Sequence, residues 1–433
     1  MASPSPSLRR SLRVSALEGV LAEVVGACAT GGVLAAWALY LGLGPLAVGL
    51  LGGLPFAAQL IHLPAAVLAY RAGSRRTAIV AVAVSRQAML PLAVLPLVDC
   101  SRTAKEAVLL SCAGVSAVLG VVANTGWTTW MADLVPRPLH GRYFARRNLL
   151  CASSSVAGSI GAGVLLDART SAAVLVGLAL IASASGVATT ALLCLQREPA
   201  RNSALDVPTL EEAMSPLREG AVRRALTFQA AWGASTGLAL AFYPLYLADS
   251  LRTGFARMAA FGSGVVALRA FAAPLWGKVL ARVGARPVLT ACAMALCLSP
   301  ALWLFAGDGA VWLLAVDAGI CGVLTAGYGL TAATLPTAAR GGRKRAYFLA
   351  AFASAGGLAT GLAATLGGAL AHVLSMRAGS AIAAHSLFAL AALGRISAAA
   401  LGLRIIDAAG ATGERADVRW RGGIWPSRSG SAG

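Results

Sequence analysis

Two stretches decide the reading: Tyr70-Arg71-Ala72-Gly73-Ser74-Arg75-Arg76, and Gly277-Lys278-Val279-Leu280-Ala281-Arg282-Val283-Gly284-Ala285-Arg286-Pro287. Both are short and basic, and each joins two long apolar runs. Aligning Arg71 on Arg282 gives an offset of 211 residues, close to half of the 433-residue chain. A second pair stands at nearly the same offset. Pro136-Arg137-Pro138-Leu139-His140-Gly141 and Pro336-Thr337-Ala338-Ala339-Arg340-Gly341 lie 200 residues apart, and each is trailed by Tyr-Phe, at Tyr143-Phe144 and Tyr347-Phe348. Two loop pairs at corresponding helix ends read as structural repeats. A tight turn between antiparallel helices needs a residue that tolerates positive φ, which Gly73 and Gly284 supply.

Around these loops the chain is 58% apolar and only 12% charged. A soluble domain carries about 25% charged residues, so the composition excludes an ordinary globular protein. A membrane-spanning helix needs about 20 apolar residues. Twelve such runs are expected: Ala16 to Tyr40, Pro45 to Ala69, Thr77 to Val98, Ala107 to Met131, Leu149 to Leu166 and Ala172 to Leu195, then Ala225 to Leu247, Met258 to Leu280, Pro287 to Phe305, Ala310 to Leu335, Ala346 to Leu374 and Ser380 to Leu403. The organisation is a tail over 1–15, a six-helix bundle over 16–195, a polar linker over 196–224, a second bundle over 225–404 and a tail over 405–433. The basic run Arg9, Arg10 and Arg13 imitates a signal peptide, but the apolar run behind it is too long for one and is expected to stay as the first helix.

The net charge of +19 is a topology signal. If alternate loops are assigned to the two sides, 27 Lys and Arg fall on the side of the termini, six on the other and three within spans. The positive-inside rule then places both termini in the cytoplasm, in the inner membrane of a cell, and removes nucleic acid as the partner that so basic a chain would suggest. Seven of the eight cysteines lie inside apolar runs, with neither a disulfide framework nor a CxxC metal pair. No metal or cofactor is expected. Gly233-Ala234-Ser235-Thr236-Gly237 matches the GxSxG pattern of hydrolases, yet it lies inside an apolar span rather than at a strand-to-helix elbow. No Walker loop is present, so the chain is not expected to be an enzyme or an ATP-driven pump.

Over essentially its whole length the sequence resembles the major facilitator superfamily of secondary transporters. That family carries a Gly-x-x-x-Asp-Arg-x-Gly-Arg-Arg signature after its second helix and a weaker copy after the eighth. Arg71, Gly73 and Arg75 match the first copy; Gly277, Arg282, Gly284 and Arg286 match the second. Asp133 to Arg142 is similar to the family's acidic element after the fourth helix, although the signature Asp is Tyr70 in one loop and Ala281 in the other, and His140 stands where an Arg is usual. The resemblance implies an all-α membrane protein of two pseudo-symmetric six-helix bundles that moves a small solute by alternating access, with proton coupling as one option and a monomer as the expected state. The fifth helix lacks the Gly-Pro pair of the drug antiporters, which weakens an efflux reading. The alternative from another class is a membrane scaffold that has kept the fold and lost transport.

The flanking arginines can dock on helix C-terminal carbonyls and on a carboxylate, and Asp133 is the natural partner of Arg71 or Arg142 in such a gate. Charges within spans are costly and invite a reason. Glu18 is read as reaching the cytoplasmic interface from the first turn of its helix. Arg86 and Arg395 are read as snorkelling or structurally paired. Since the family's first, fourth, seventh and tenth helices line the cavity, Glu23, Asn124, Trp127, Tyr243 and Asp317 are the candidates for substrate or proton contact, joined by Arg269 on the eighth. Asp317 is expected to pair with Arg269, leaving Glu23 free for a proton or a cationic group. His62 and His372 are read as packed. The small-residue ridges Ala157–Gly163 and Gly356–Gly361 are expected to bring helices of the two halves into close contact.

Overall fold

The computed structural model describes residues 6–136, 139–198, 218–247, 251–307, 310, 312–332 and 343–411, all in helices and their connections without a strand among the described residues. Twelve helices follow one another: α1 (Pro6–Tyr40), α2 (Pro45–Ala72), α3 (Ser74–Leu97), α4 (Arg102–Leu134), α5 (His140–Ala168), α6 (Ala172–Cys194), α7 (Gly220–Leu240), α8 (Phe255–Val283), α9 (Pro287–Leu304), α10 (Trp312–Ala332), α11 (Arg343–Ala378) and α12 (Ser380–Ala411). Eleven are long and apolar enough to cross a membrane. The twelfth, α7, matches α10 at 21 residues but carries Gln229, Ser235 and Thr236, and it takes the seventh place by packing against α11 and α12.

The pairing of helices repeats between the halves. In the first, α1 packs on α5 and α6, α4 on α2 and α3, and α3 on α6. In the second, α7 packs on α11 and α12, α10 on α8 and α9, and α9 on α12. The matched loops are the matched turns: Gly73 at φ 89° and Gly284 at φ 84° each end one helix and start the next. A Cβ there would strain the turn, which is why glycine stands at both positions.

Several helices change course inside the bundle. The α1 helix stops at Ala29 and restarts at Gly32, with Gly31 at φ 55° and the Thr30 hydroxyl donating to the Gly26 carbonyl. The α2 helix contains Pro55 and tightens into a 3₁₀ turn over Ala58–Ile61. These are the sites where the regular i→i−4 ladder is interrupted.

Small residues carry the contact between halves. A Cβ on Gly49 of α2 would lie 2.7 Å from the Gly368 Cα of α11, and one on Gly53 would lie 2.7 Å from the Gly361 carbonyl oxygen. On the other flank Gly163 of α5 leaves the same margin to Ala256 of α8. The ridges expected in α5 and α11 thus do meet the opposite half, at Gly163, Gly357 and Gly361, while Gly158 packs within its own half on Ala27. The pattern Gly233 to Gly237 is a packing surface too: Gly233 faces the Gly356 carbonyl of α11, and the buried Ser235 hydroxyl donates to Trp232 O.

Candidate functional site

A cavity of about 530 Å³ lies between the halves. Its walls come from both segments of α1, from α2 around its 3₁₀ turn, from Met89 of α3, from α4, and from Leu240, Ala241, Pro244 and Leu245 at the end of α7 and just beyond it. The polar side chains facing it are Thr30, Gln59, His62, Ser116 and Asn124; Leu34, Leu51, Phe56 and Met89 supply much of the rest. The interruptions described above line this space: chain that leaves the helical ladder borders a cavity, where its freed backbone groups can be satisfied.

Of the residues singled out for substrate or proton contact, Asn124 lines the cavity. Trp127, one turn further along α4, lies under the Arg147 guanidinium at 4.1 Å. Tyr243 turns into the second half, stacked on Phe388 at 5.1 Å and against Trp303 at 4.5 Å, so that Pro244 and Leu245 take its expected place on the wall. Glu23 is part-buried, with no carboxylate–guanidinium contact within ion-pair distance among the described residues.

The expected Asp317–Arg269 pair does not form. Asp317 is buried and accepts hydrogen bonds from the Trp303 indole at 2.9 Å and the Cys321 thiol at 3.5 Å, whereas Arg269 is exposed on α8. Counted from the same end of the bundle, Arg269 is 14 residues into its helix and Asp317 only five, a difference of ~13 Å at 1.5 Å per residue that one side chain does not bridge. Arg395, read as snorkelling or structurally paired, is buried: its Nη1 donates to Leu296 O at 3.0 Å and its guanidinium stands 5.9 Å from the Trp232 ring.

Glu18 also departs from expectation. Hydropathy starts the first helix at Ala16, but the helix begins at Pro6, which places Glu18 about three turns inside it. It is 3% exposed and holds two guanidinium groups, Arg147 of α5 at 3.2 Å and Arg86 of α3 at 3.6 Å. Arg147, counted in the sequence as a loop charge, also reaches the Ser15 carbonyl. Nothing in the pattern of one helix could have disclosed a cluster assembled from three.

Among the loop residues, Arg75 docks on the end of α6: its Nη2 donates to Cys194 O at 2.8 Å, and Glu198 lies 3.7 Å from Nη1. That contact stays within one half. Arg71, Arg142, Arg282 and Gly277 are exposed. Asp133 is exposed and forms no ion pair among the described residues, so its expected pairing with Arg71 or Arg142 is absent. The side chain of Arg286 and the second loop copy, 336–341, lie outside the described residues, as do most of the linker and the tail beyond 411.

One carboxylate does bridge the halves. Asp167, at the last turn of α5, accepts the backbone N–H of Phe255 at 2.5 Å and of Ala256 at 3.0 Å, capping the N-terminus of α8. The first N–H groups of a helix have no partner of their own and carry a partial positive charge, so a carboxylate is the complementary group. The contact lies at the end of the bundle away from the chain termini, where Leu245 and Phe255 also pack against the core of the first half.

No family profile and no curated protein sequence matches the chain. Solved structures do match. It is similar to the nucleoside transporter NupG, with TM-scores of 0.71 for a mutant form and 0.69 for another structure, at 14% identity, covering 92% and 93% of this chain and 99% of that one. It is similar to a bacterial homologue of the iron transporter ferroportin in an inward-facing state, at TM-score 0.68 and 13% identity, covering 92% of this chain and 99% of that one. A bacterial homologue of the human lysosomal transporter Spinster, also inward-facing, follows at TM-score 0.62 and 16% identity, covering 94% and 96%. The fold is that of the major facilitator transporters, with two repeated six-helix halves. The chain is a multi-pass membrane protein.

Proposed function

We propose that the protein is a secondary transporter that carries a small solute by alternating access of one central cavity. The carrying observation is the cavity itself: both halves contribute to its wall, through α1, α2 and α4 on one side and α7 on the other, so relative tilting of the halves must change its access. The contacts that close the bundle away from the termini, Asp167 on α8 and the apolar packing around Phe255, serve as the outer gate. With the termini in the cytoplasm of the inner membrane, as the charge bias predicts, this closed end is the outer one. Transport then needs no bond-making step. Glu23, beside the Glu18–Arg86–Arg147 cluster but outside ion-pair distance, is assigned to proton coupling, and Arg71 and Arg282 are assigned to closing the cytoplasmic side in the opposite state.

The test is counterflow in liposomes containing the purified chain, with a broad solute library inside and a labelled member outside, with and without a proton gradient. Accumulation of a labelled solute against its gradient supports the reading. Its absence for every solute rejects it and leaves the scaffold reading, which draws on the departures from the signature at Tyr70 and Ala281.

A further inference from the structure

We infer that the solute is uncharged, with several hydroxyl or amide groups on one side and an apolar face on the other; this rests on the central cavity being the transport site. Among the described residues, the cavity wall contains no Asp, Glu, Lys or Arg. An ion leaving water for such a wall loses its hydration with no counter-charge to replace it, a cost of several kcal/mol after relaxation. Arg86, three residues before the wall residue Met89, is held by Glu18, and Glu23, six residues before Ala29, is not part of the wall.

What the wall offers instead is neutral hydrogen bonding of both senses. The Thr125 hydroxyl spends its proton on the Val121 carbonyl at 2.8 Å. It therefore accepts from His62, 3.2 Å away, which puts a proton on His62 Nδ1 and leaves Nε2 to face the cavity. The Asn124 amide and the Ser116 hydroxyl make no side-chain hydrogen bond among the described residues, and they stand eight residues apart on one face of α4. Gln59 donates one N–H to Pro55 O and keeps its carbonyl oxygen and second N–H. A solute with hydroxyl or amide groups satisfies these donors and acceptors without bringing charge. Phe56, Leu51 and Met89 give the remaining wall its apolar character. The volume of about 530 Å³ suits a small molecule rather than a peptide or a lipid.

The test uses matched triplets of one skeleton: a neutral hydroxylated ring compound, its carboxylate and its ammonium counterpart, across several skeletons. Each is scored as a competitor of counterflow and as a thermal stabiliser of the full chain. The neutral member is expected to act at concentrations at least tenfold lower than either charged one. Asn124→Asp, which keeps side-chain size and adds one negative charge, should shift the ratio of ammonium to neutral competition at least tenfold toward the ammonium member. A wild-type preference for a charged member overturns this inference and leaves the transport reading standing. Unchanged selectivity in a folded Asn124→Asp protein also overturns it. Silence of every compound in both assays rejects the transport reading and this inference together.

Discussion

Replacing Asp167 is the sharpest probe of the proposed outer gate, because its carboxylate is the hydrogen-bonded polar link described between α5 and α8. Asp167→Ala removes two acceptor contacts, at 2.5 and 3.0 Å, from the first turn of a 29-residue helix. Loss of an N-terminal cap costs ~0.5–2 kcal/mol, and loss of a negative charge beside a helix N-terminus ~0.3–1 kcal/mol where solvent reaches it. Asp167 is exposed, so the lower parts of these ranges apply and the closed outer end should lose about 1–2 kcal/mol. That energy shifts the two-state ratio toward the open outer end by about 5- to 30-fold. Asp167→Asn keeps an acceptor without the charge and should give a smaller shift in the same direction. Spin labels at Thr170 and Arg257, both exposed beside the contact, report the separation of α5 and α8 as a distance distribution. Growth of the long-distance population, in the order Asn then Ala, is the expected result. Identical distributions in wild type and both variants would refute a latch at this position.

Four further outcomes are expected. Glu18→Gln should lower the thermal stability, since it leaves two part-buried arginines without a counter-charge; the triple change with Arg86→Met and Arg147→Met should cost less than the sum of the single changes. Gly53→Val should abolish transport while leaving insertion intact, because its side chain would meet the Gly361 backbone where α2 and α11 touch, and a protein with normal counterflow would show that this contact is dispensable. Single cysteines at Ser74 and Ala285 in a cysteine-free background should react with impermeant thiol reagents only from the cytoplasm, and those at Thr170 and Ala378 only from outside; reversed labelling of both sets sinks the orientation. Glu23→Gln should remove proton-driven accumulation and keep solute exchange, so normal accumulation in that variant withdraws the coupling role.

The fold was legible because its signals are periodic and local. Long apolar runs separate the helices, and the repeated loops place Gly73 and Gly284 where two turns need positive φ. The seventh helix was legible as the apolar run Ala225 to Leu247 although Gln229, Ser235 and Thr236 dilute its apolar character. The site was less legible because its parts are tertiary. Asn124 could be named from one helix face, but Gln59 and His62 reach the cavity through a 3₁₀ turn in α2 whose effect on direction no hydropathy pattern records. Thr30-Gly31-Gly32 was the one available sign that α1 breaks. Asp167, just past the apolar run that ends at Leu166, gains its role only from α8 packed against it, and Tyr243 shares its helix end with wall residues while its ring belongs to the aromatic packing around Phe388.

The Glu18 cluster also bears on how the chain is made. Arg86 is synthesised 68 residues after Glu18, and Arg147 129 residues after it. At ~5–20 residues per second, the ribosome delivers these partners roughly 3–14 and 6–26 seconds late. Throughout that interval α1 carries a carboxylate whose burial in lipid is unfavourable by ~2.5–3.5 kcal/mol at full depth. The first helix therefore cannot settle into its final position as an independent unit. It has to wait, near the insertion machinery or at the headgroups, until the third and fifth helices arrive, which makes early assembly of this half depend on the order in which its helices emerge.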